Sequence, residues 1–194
     1  MHIKPEIRIL GIDDSPLISK KILLIGTIFR GGKWLDGVLK TEVERDGLDA
    51  TRQIIEMVKN SRHYHQLRIL MLNGVTLAGF NVVDIQKVFK EIKIPIIAVM
   101  RSKPDFQAIE AALQNLSKPK LRLAIIKRAG EIYEVKTQRR GLPVYMQCTG
   151  IAQKDAEKIV KLASTHSRIP EPLRVAHLIA TAITYGESAG RSRA

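Results

Sequence analysis

A chain of 194 residues is the size of one ordinary domain, and 45% hydrophobic with 26% charged residues excludes a disordered tail. No apolar run reaches the length of a membrane span, the opening residues MHIKPEIRIL do not predict a secretory leader, and the single cysteine, Cys148, excludes a disulfide framework and a cysteine-based zinc cage, so a cytoplasmic, reducing setting is expected. Lysine and arginine number 32 against 19 acids, a net charge of +13 that suits a polyanionic partner, because cationic side chains displace counterions from a phosphate backbone.

The apolar run Ile7 to Ile12 predicts a first strand that ends at acids. Lys21 to Phe29 predicts a second, Gly31-Gly32 a turn, and the alternating Gly37 to Glu44 a third; short connections make the three an antiparallel meander. The period then changes. Asp49 is placed to cap a helix carrying Ile54, Ile55 and Val58 on one face. Leu67 to Leu72 predicts a buried strand, Val82 to Ile92 a helix, Ile94 to Met100 another buried strand with Pro95 at its start, and Phe106 to Leu116 a helix. Leu121 to Ile126 and Pro143 to Cys148 read as strands, and helices over about 154–163 and 172–184 close the chain, with Pro172 in a first helical turn. The expectation is a single α/β domain over residues 1–194, with residues 187–194 a mobile tail. Three antiparallel strands followed by alternating helices and parallel strands make a mixed sheet, an order shared by the ribonuclease-H-like architecture and by other mixed folds.

Acids and amides at strand ends are the candidates for chemistry. Asp13 and Asp14 follow the first strand, and alternation lets only one face a given site; a turn before Pro16 is the plainer use of the pair. Asp46, in Arg45-Asp46-Gly47, ends the third strand. Asn73-Gly74 ends the fourth, where α/β sheets place ligands, though Asn-Gly is also a turn pair. His177 shares a helix face with Leu173. If the ends at Asp13, Asp46 and Asn73 converge, the carboxylates repel one another unless a cation neutralises them, and oxygen donors select Mg²⁺ or Mn²⁺. On a very basic protein such a site suggests phosphodiester hydrolysis.

LGIDDSP, ERDGLDAT, NGVTLAGFNVVDI, IPEPLRVAHLIA and the late GES together resemble the archaeal endonuclease dU family across nearly the whole chain, and more remotely endonuclease V. GIDD is similar to the first-strand Gly-x-Asp of endonuclease V, which implies Asp13 as a metal ligand. RDG resembles its Arg-Glu-Gly and implies Asp46 as catalytic or metal-binding. NGV implies Asn73 in place of an aspartate, with Asp14 able to compensate, and RIPEPLRVAH implies a catalytic role for His177. Arg101 stands where the remote family has a lysine, Lys103 is close by, and Arg174 is its Pro-Glu-Pro-x-Arg arginine. Trp34, in KWLDG, stands in the place of a base-wedging tyrosine or caps the strands. The distal Gly-His is absent, since Gly150 precedes Ile151.

From Lys118 to Arg140 the chain carries eight lysines and arginines, Arg139 and Arg140 among them, against two glutamates, which is either a phosphate-binding face or a solvated one. The resemblance implies a ribonuclease-H-like hydrolase that cuts damaged DNA at deoxyuridine with Mg²⁺ or Mn²⁺. An RNA- or inosine-directed nuclease, and a non-catalytic nucleic-acid-binding module supported by the neutral Asn73, are the alternatives. No Gly-rich phosphate loop supports a small-molecule enzyme.

Overall fold

The computed structural model describes residues 3–137 and 141–189. Three strands, β1 (Arg8–Asp14), β2 (Lys21–Arg30) and β3 (Trp34–Glu44), form the antiparallel meander, with Gly31 at φ +57 turning β2 into β3. Then come α1 (Ala50–Lys59), β4 (Ile69–Leu72), a small hairpin of β5 (Thr76–Leu77) and β6 (Asn81–Val82), α2 (Ile85–Ile92) and β7 (Ile96–Met100). The remainder is α3 (Phe106–Leu113), α4 (Pro119–Arg128), β8 (Tyr133–Val135), β9 (Val144–Thr149), α5 (Gln153–Ala163) and α6 (Glu171–Tyr185).

Seven strands make one sheet in the order β3-β2-β1-β4-β7-β9-β8. β1, β4 and β7 run parallel in its centre; β9, expected parallel, runs antiparallel to β7, and β8, which the sequence pattern does not predict, pairs antiparallel beyond it. Side chains alternate between faces. Leu10, Ile12, Leu70, Leu72, Ile96 and Ala98 meet Ile54 and Val58 of α1 and Val88 of α2 on one face. Ile9, Ile69, Met71, Ile97 and Val99 meet Ile159 and Val160 of α5 and Leu173 of α6 on the other. Each isoleucine or leucine buried this way contributes roughly 1.5–3 kcal/mol. Among the described residues no helix is long and apolar enough to cross a membrane.

Three expectations are corrected. Leu121–Ile126 lies inside α4 and is not a strand: the alternation of Leu121, Leu123 and Ile125 misleads, because the two buried positions are Arg122 and Ile126, one helical turn apart. The helix expected over Val82–Ile92 starts only at Ile85, where Asp84 accepts from the Lys87 amide at 3.1 Å; Asn81 and Val82 belong to the small hairpin. Asp49 precedes α1 without capping it. Its Oδ1 accepts from the side chain of Asn81 at 2.6 Å, and the Asn81 Oδ1 accepts from the Ala50 amide at 3.0 Å.

Candidate active site

Ile12 of β1 lies beside Leu72 of β4 in parallel register, so Asp13 and Asn73 emerge together at the carboxyl ends of the two strands. The Asn73 amide donates to Ile12 O at 3.1 Å, and its side-chain Nδ2 donates to Asp13 Oδ1 at 2.8 Å. Asp13 is 1% exposed. A carboxylate this deep keeps its charge only with partners, and the Asp14 amide supplies another at 2.9 Å.

The last partner arrives from α6. Gly11 has no side chain where Pro172 crosses it: a Cβ there would lie 2.5 Å from the Pro172 carbonyl carbon. Thr27, paired with Gly11 in the sheet, donates to Pro172 O at 2.6 Å and fixes the same turn. From this crossing Asp13 is two strand residues away, about 6.7 Å. His177 is five helical residues away, about 7.5 Å. The two advances match, and His177 Nδ1 lies 3.1 Å from Asp13 Oδ2. That hydrogen bond holds the imidazolium above its ordinary pKa against the opposing effect of partial burial.

Asp14 takes the other face, as alternation requires, and its Oδ2 accepts from the Ala78 amide at 2.6 Å. Burial first, and the Asp13 charge second, push its carboxyl up to about 7. Asp46 sits beyond β3 in the left-handed region, φ 53, with its Oδ1 accepting from the Phe80 amide at 2.8 Å. Gly79, between those two amides, is pressed so close that a Cβ would fall 2.3 Å from Asp46 Oδ1. Asp14 and Asp46 thus grip alternate amides of one turn. Asp13 and Asn73 touch, but the hydrogen bonds of Asp46 run to that turn and to neither of them. Among the described residues no three His, Cys, Asp or Glu side chains are grouped so as to hold a metal ion.

Arg101 follows β7 beside this group. Burial lowers its pKa from the usual arginine range, while the charge of Asp13 acts the other way. Lys103 is exposed on the next loop. Arg174, one turn before His177, is committed to the buried Glu171, with Nη2 2.7 Å from Oε2. The structure does not bring Trp34 to the group. It opens β3 opposite Arg30, which pairs with Arg8, so five strand residues, about 17 Å, separate that end of β1 from Asp13. Arg139 and Arg140, and residues 190–194 of the tail, lie outside the described residues. Within the basic run, Arg128 pairs with Asp84, and Arg122 is 1% exposed. Arg122 donates to the carbonyls of Asp46, Gly47, Phe80 and Ser117 at 2.6–2.8 Å. It is a core strut under the Asp46 turn and was read from sequence only as surface charge.

A family model described as Endonuclease dU matches residues 5–184. A UPF0215 protein of Methanosarcina acetivorans is 60% identical over 191 residues, 98% of this chain and 97% of its own. A crystal structure of a protein of unknown function from Archaeoglobus fulgidus is 42% identical with a TM-score of 0.84, covering 91% of this chain and 98% of that one. Endonuclease V of Ciona intestinalis, solved in complex with a 24mer DNA containing an inosine followed by a ribo-adenosine, is 15% identical with a TM-score of 0.59, covering 87% and 82%. At that identity the likeness is one of fold, a ribonuclease-H-like mixed sheet.

Proposed function

The chain belongs to the endonuclease dU family, and on that premise we propose that it hydrolyses phosphodiester bonds in DNA at deoxyuridine, with a divalent cation held at Asp13. The observation that carries the reading is the buried Asp13 carboxylate, set between Asn73 and His177 at the carboxyl ends of two central parallel strands. The donor set fits Mg²⁺ or Mn²⁺. Asp13 supplies a carboxylate, rotation of the Asn73 amide would present its Oδ1 in place of Nδ2, and the Asp14 carboxyl, turned to the other face of β1 but close enough to feel the Asp13 charge, would add a further oxygen. Such a cation offsets charge on the phosphate and acidifies water. Asp46 supports the rim through the Phe80 amide and, as the family resemblance implies, takes a catalytic or metal-binding part beside Asp13.

The chain's own groups do the rest. His177, oriented by Asp13, holds a proton beside the reacting phosphate and is positioned to pass it to the leaving oxygen. Arg101 and Lys103 offset phosphate charge, and Arg174 lines the approach on α6. Phosphate contacts carry no base information, so deoxyuridine is chosen by admission of an extruded base.

The test is cleavage of a deoxyuridine oligonucleotide by the wild type and by Asp13→Ala, with deoxyinosine and inosine strands run beside it. The expected result is a loss of about a hundredfold or more in the variant with an unchanged circular-dichroism spectrum. An active variant, or preference for either inosine strand, discards the corresponding part of the reading.

A further inference from the structure

A cavity of about 730 Å³ opens past the ends of β1 and β3, lined by Ile18, Lys20, Lys21, Glu44, Arg45 and Asp46. That volume lies within the range of pockets that take a nucleotide-sized ligand. It adjoins the site. The loop of residues 15–20 begins immediately after Asp14, and Asp46 on the opposite wall bonds the same turn that Asp14 bonds. The loop is also fixed. Ser15 and Leu23 exchange hydrogen bonds at its base, the Arg45 amide donates to Lys20 O at 2.8 Å, and the Arg45 guanidinium donates to Leu17 O at 3.1 Å.

On this clamped loop Ile18 is 63% exposed, and Leu17 beside it is exposed as well. Scattered surface leucines need no explanation, but two adjacent apolar side chains held out at the lip of a lysine-lined cavity do. The charges give the cavity a direction. The cavity carries Lys20, Lys21 and Arg45 against Glu44 and Asp46, with Arg45 Nε 3.7 Å from Asp46 Oδ2, while the wall that continues towards α1 carries Glu42, Glu44 and Asp49 beside Arg52. The two loop lysines make the cavity the more cationic side, and a polyanion is drawn there.

Resting on the endonuclease reading above, we infer that this cavity holds the DNA strand next to the scissile bond, with Leu17 and Ile18 against its bases and Lys20 and Lys21 on its phosphates. Apolar side chains that enter a base step unstack it, and unstacking is what delivery of a target base to Asp13 requires. Trp34 does not serve in this role, since it stands at the other end of the strands.

The probe is a duplex with deoxyuridine opposite guanine and 2-aminopurine as the next base, titrated with the full chain in EDTA. Fluorescence of 2-aminopurine is expected to rise on binding of the wild type and of Trp34→Ala. Ile18→Ala is expected to lose most of that rise and to bind about fivefold more weakly, the scale of one lost base contact. Lys20→Ala is expected to flatten the logarithmic salt slope by about one phosphate contact. An unchanged rise in Ile18→Ala, no rise with the wild type, or a rise lost in Trp34→Ala overturns the inference. Addition of Mg²⁺ or Mn²⁺ to the same duplex separates the two claims. Fluorescence changes as expected with no cleavage remove the nuclease and keep the groove; cleavage with an inert Ile18 does the reverse.

Discussion

Pro172 rests on Gly11 at a distance that leaves no room for a β-carbon, and this contact sets where His177 meets Asp13. Gly11→Ala must push α6 away from β1, an overpacking cost of about 1–3 kcal/mol. Activity measured well below the melting temperature is expected to fall further than stability does, because the displaced helix carries His177 off the carboxylate. A wild-type rate in a destabilised Gly11→Ala protein removes His177 from the chemistry.

Asn73→Asp adds a negative charge beside Asp13, whose Oδ1 now receives the Asn73 amide. Without metal the two carboxylates repel and the melting temperature is expected to drop. With saturating Mg²⁺ the loss is expected to reverse, and half-maximal cleavage to need less metal than in the wild type, since charge count tunes affinity for hard cations. Thermal melts across a Mg²⁺ series read both effects. A variant equally destabilised at every metal concentration argues against a cation at this position.

In the metal-free protein the Asp14 carboxyl is pushed up from 3.8 to about 7, and His177 is held above 6.5. A folded-state pKa above the unfolded value means that folding favours the protonated form. These contributions are complete below 3.8 for Asp14 and below 6.5 for His177, and both are lost as pH rises through the folded values. Protein in EDTA is expected to melt lower at about pH 8 than at about pH 5.5, and Asp14→Asn to lose most of that slope. Equal slopes in the wild type and Asp14→Asn place the titration elsewhere.

Arg122 resembles its basic neighbours in sequence and differs from them in use. Replacing it by methionine removes the donor from the carbonyls of Asp46, Gly47, Phe80 and Ser117; the first three are half-buried and stand to lose up to about 1–3 kcal/mol each, while Ser117 is exposed and water can take its place. Arg122→Met is expected to lower stability sharply while leaving the salt slope of DNA binding unchanged. Lys103→Ala is expected to do the opposite. Denaturant melts and binding titrations at several salt concentrations separate the two.

Strand periodicity and turn residues make the meander and the two further central strands, β4 and β7, legible, because a short buried run such as Ile69–Leu72, closed by Asn73-Gly74, is too short for a helix. The meeting of Asp13 and Asn73 is legible in their positions at strand ends; Asp46, expected with them, bonds the Phe80 amide instead, and His177, inside α6, is marked only by the family resemblance. What hid α4 was a coincidence of spacing: Leu121, Leu123 and Ile125 alternate like a strand, and the buried group between them is a guanidinium that no hydrophobic pattern registers. The turn at Ala78–Phe80 was equally silent. Its role rests on backbone amides, which every residue possesses, and Gly79 is the only letter that marks it. Asp46 was correctly placed at a strand end, but its direction depends on a left-handed backbone that sequence order does not announce.

The four carbonyls gathered by Arg122 belong to three separate stretches of chain, around Asp46, Phe80 and Ser117. Loosening any one of them takes a partner from a guanidinium held in the interior, so the border of the cleft resists fluctuating piece by piece. Isotope exchange at the Phe80 amide should then follow cooperative opening of the helical layer, with the cleft already shaped before any polynucleotide arrives.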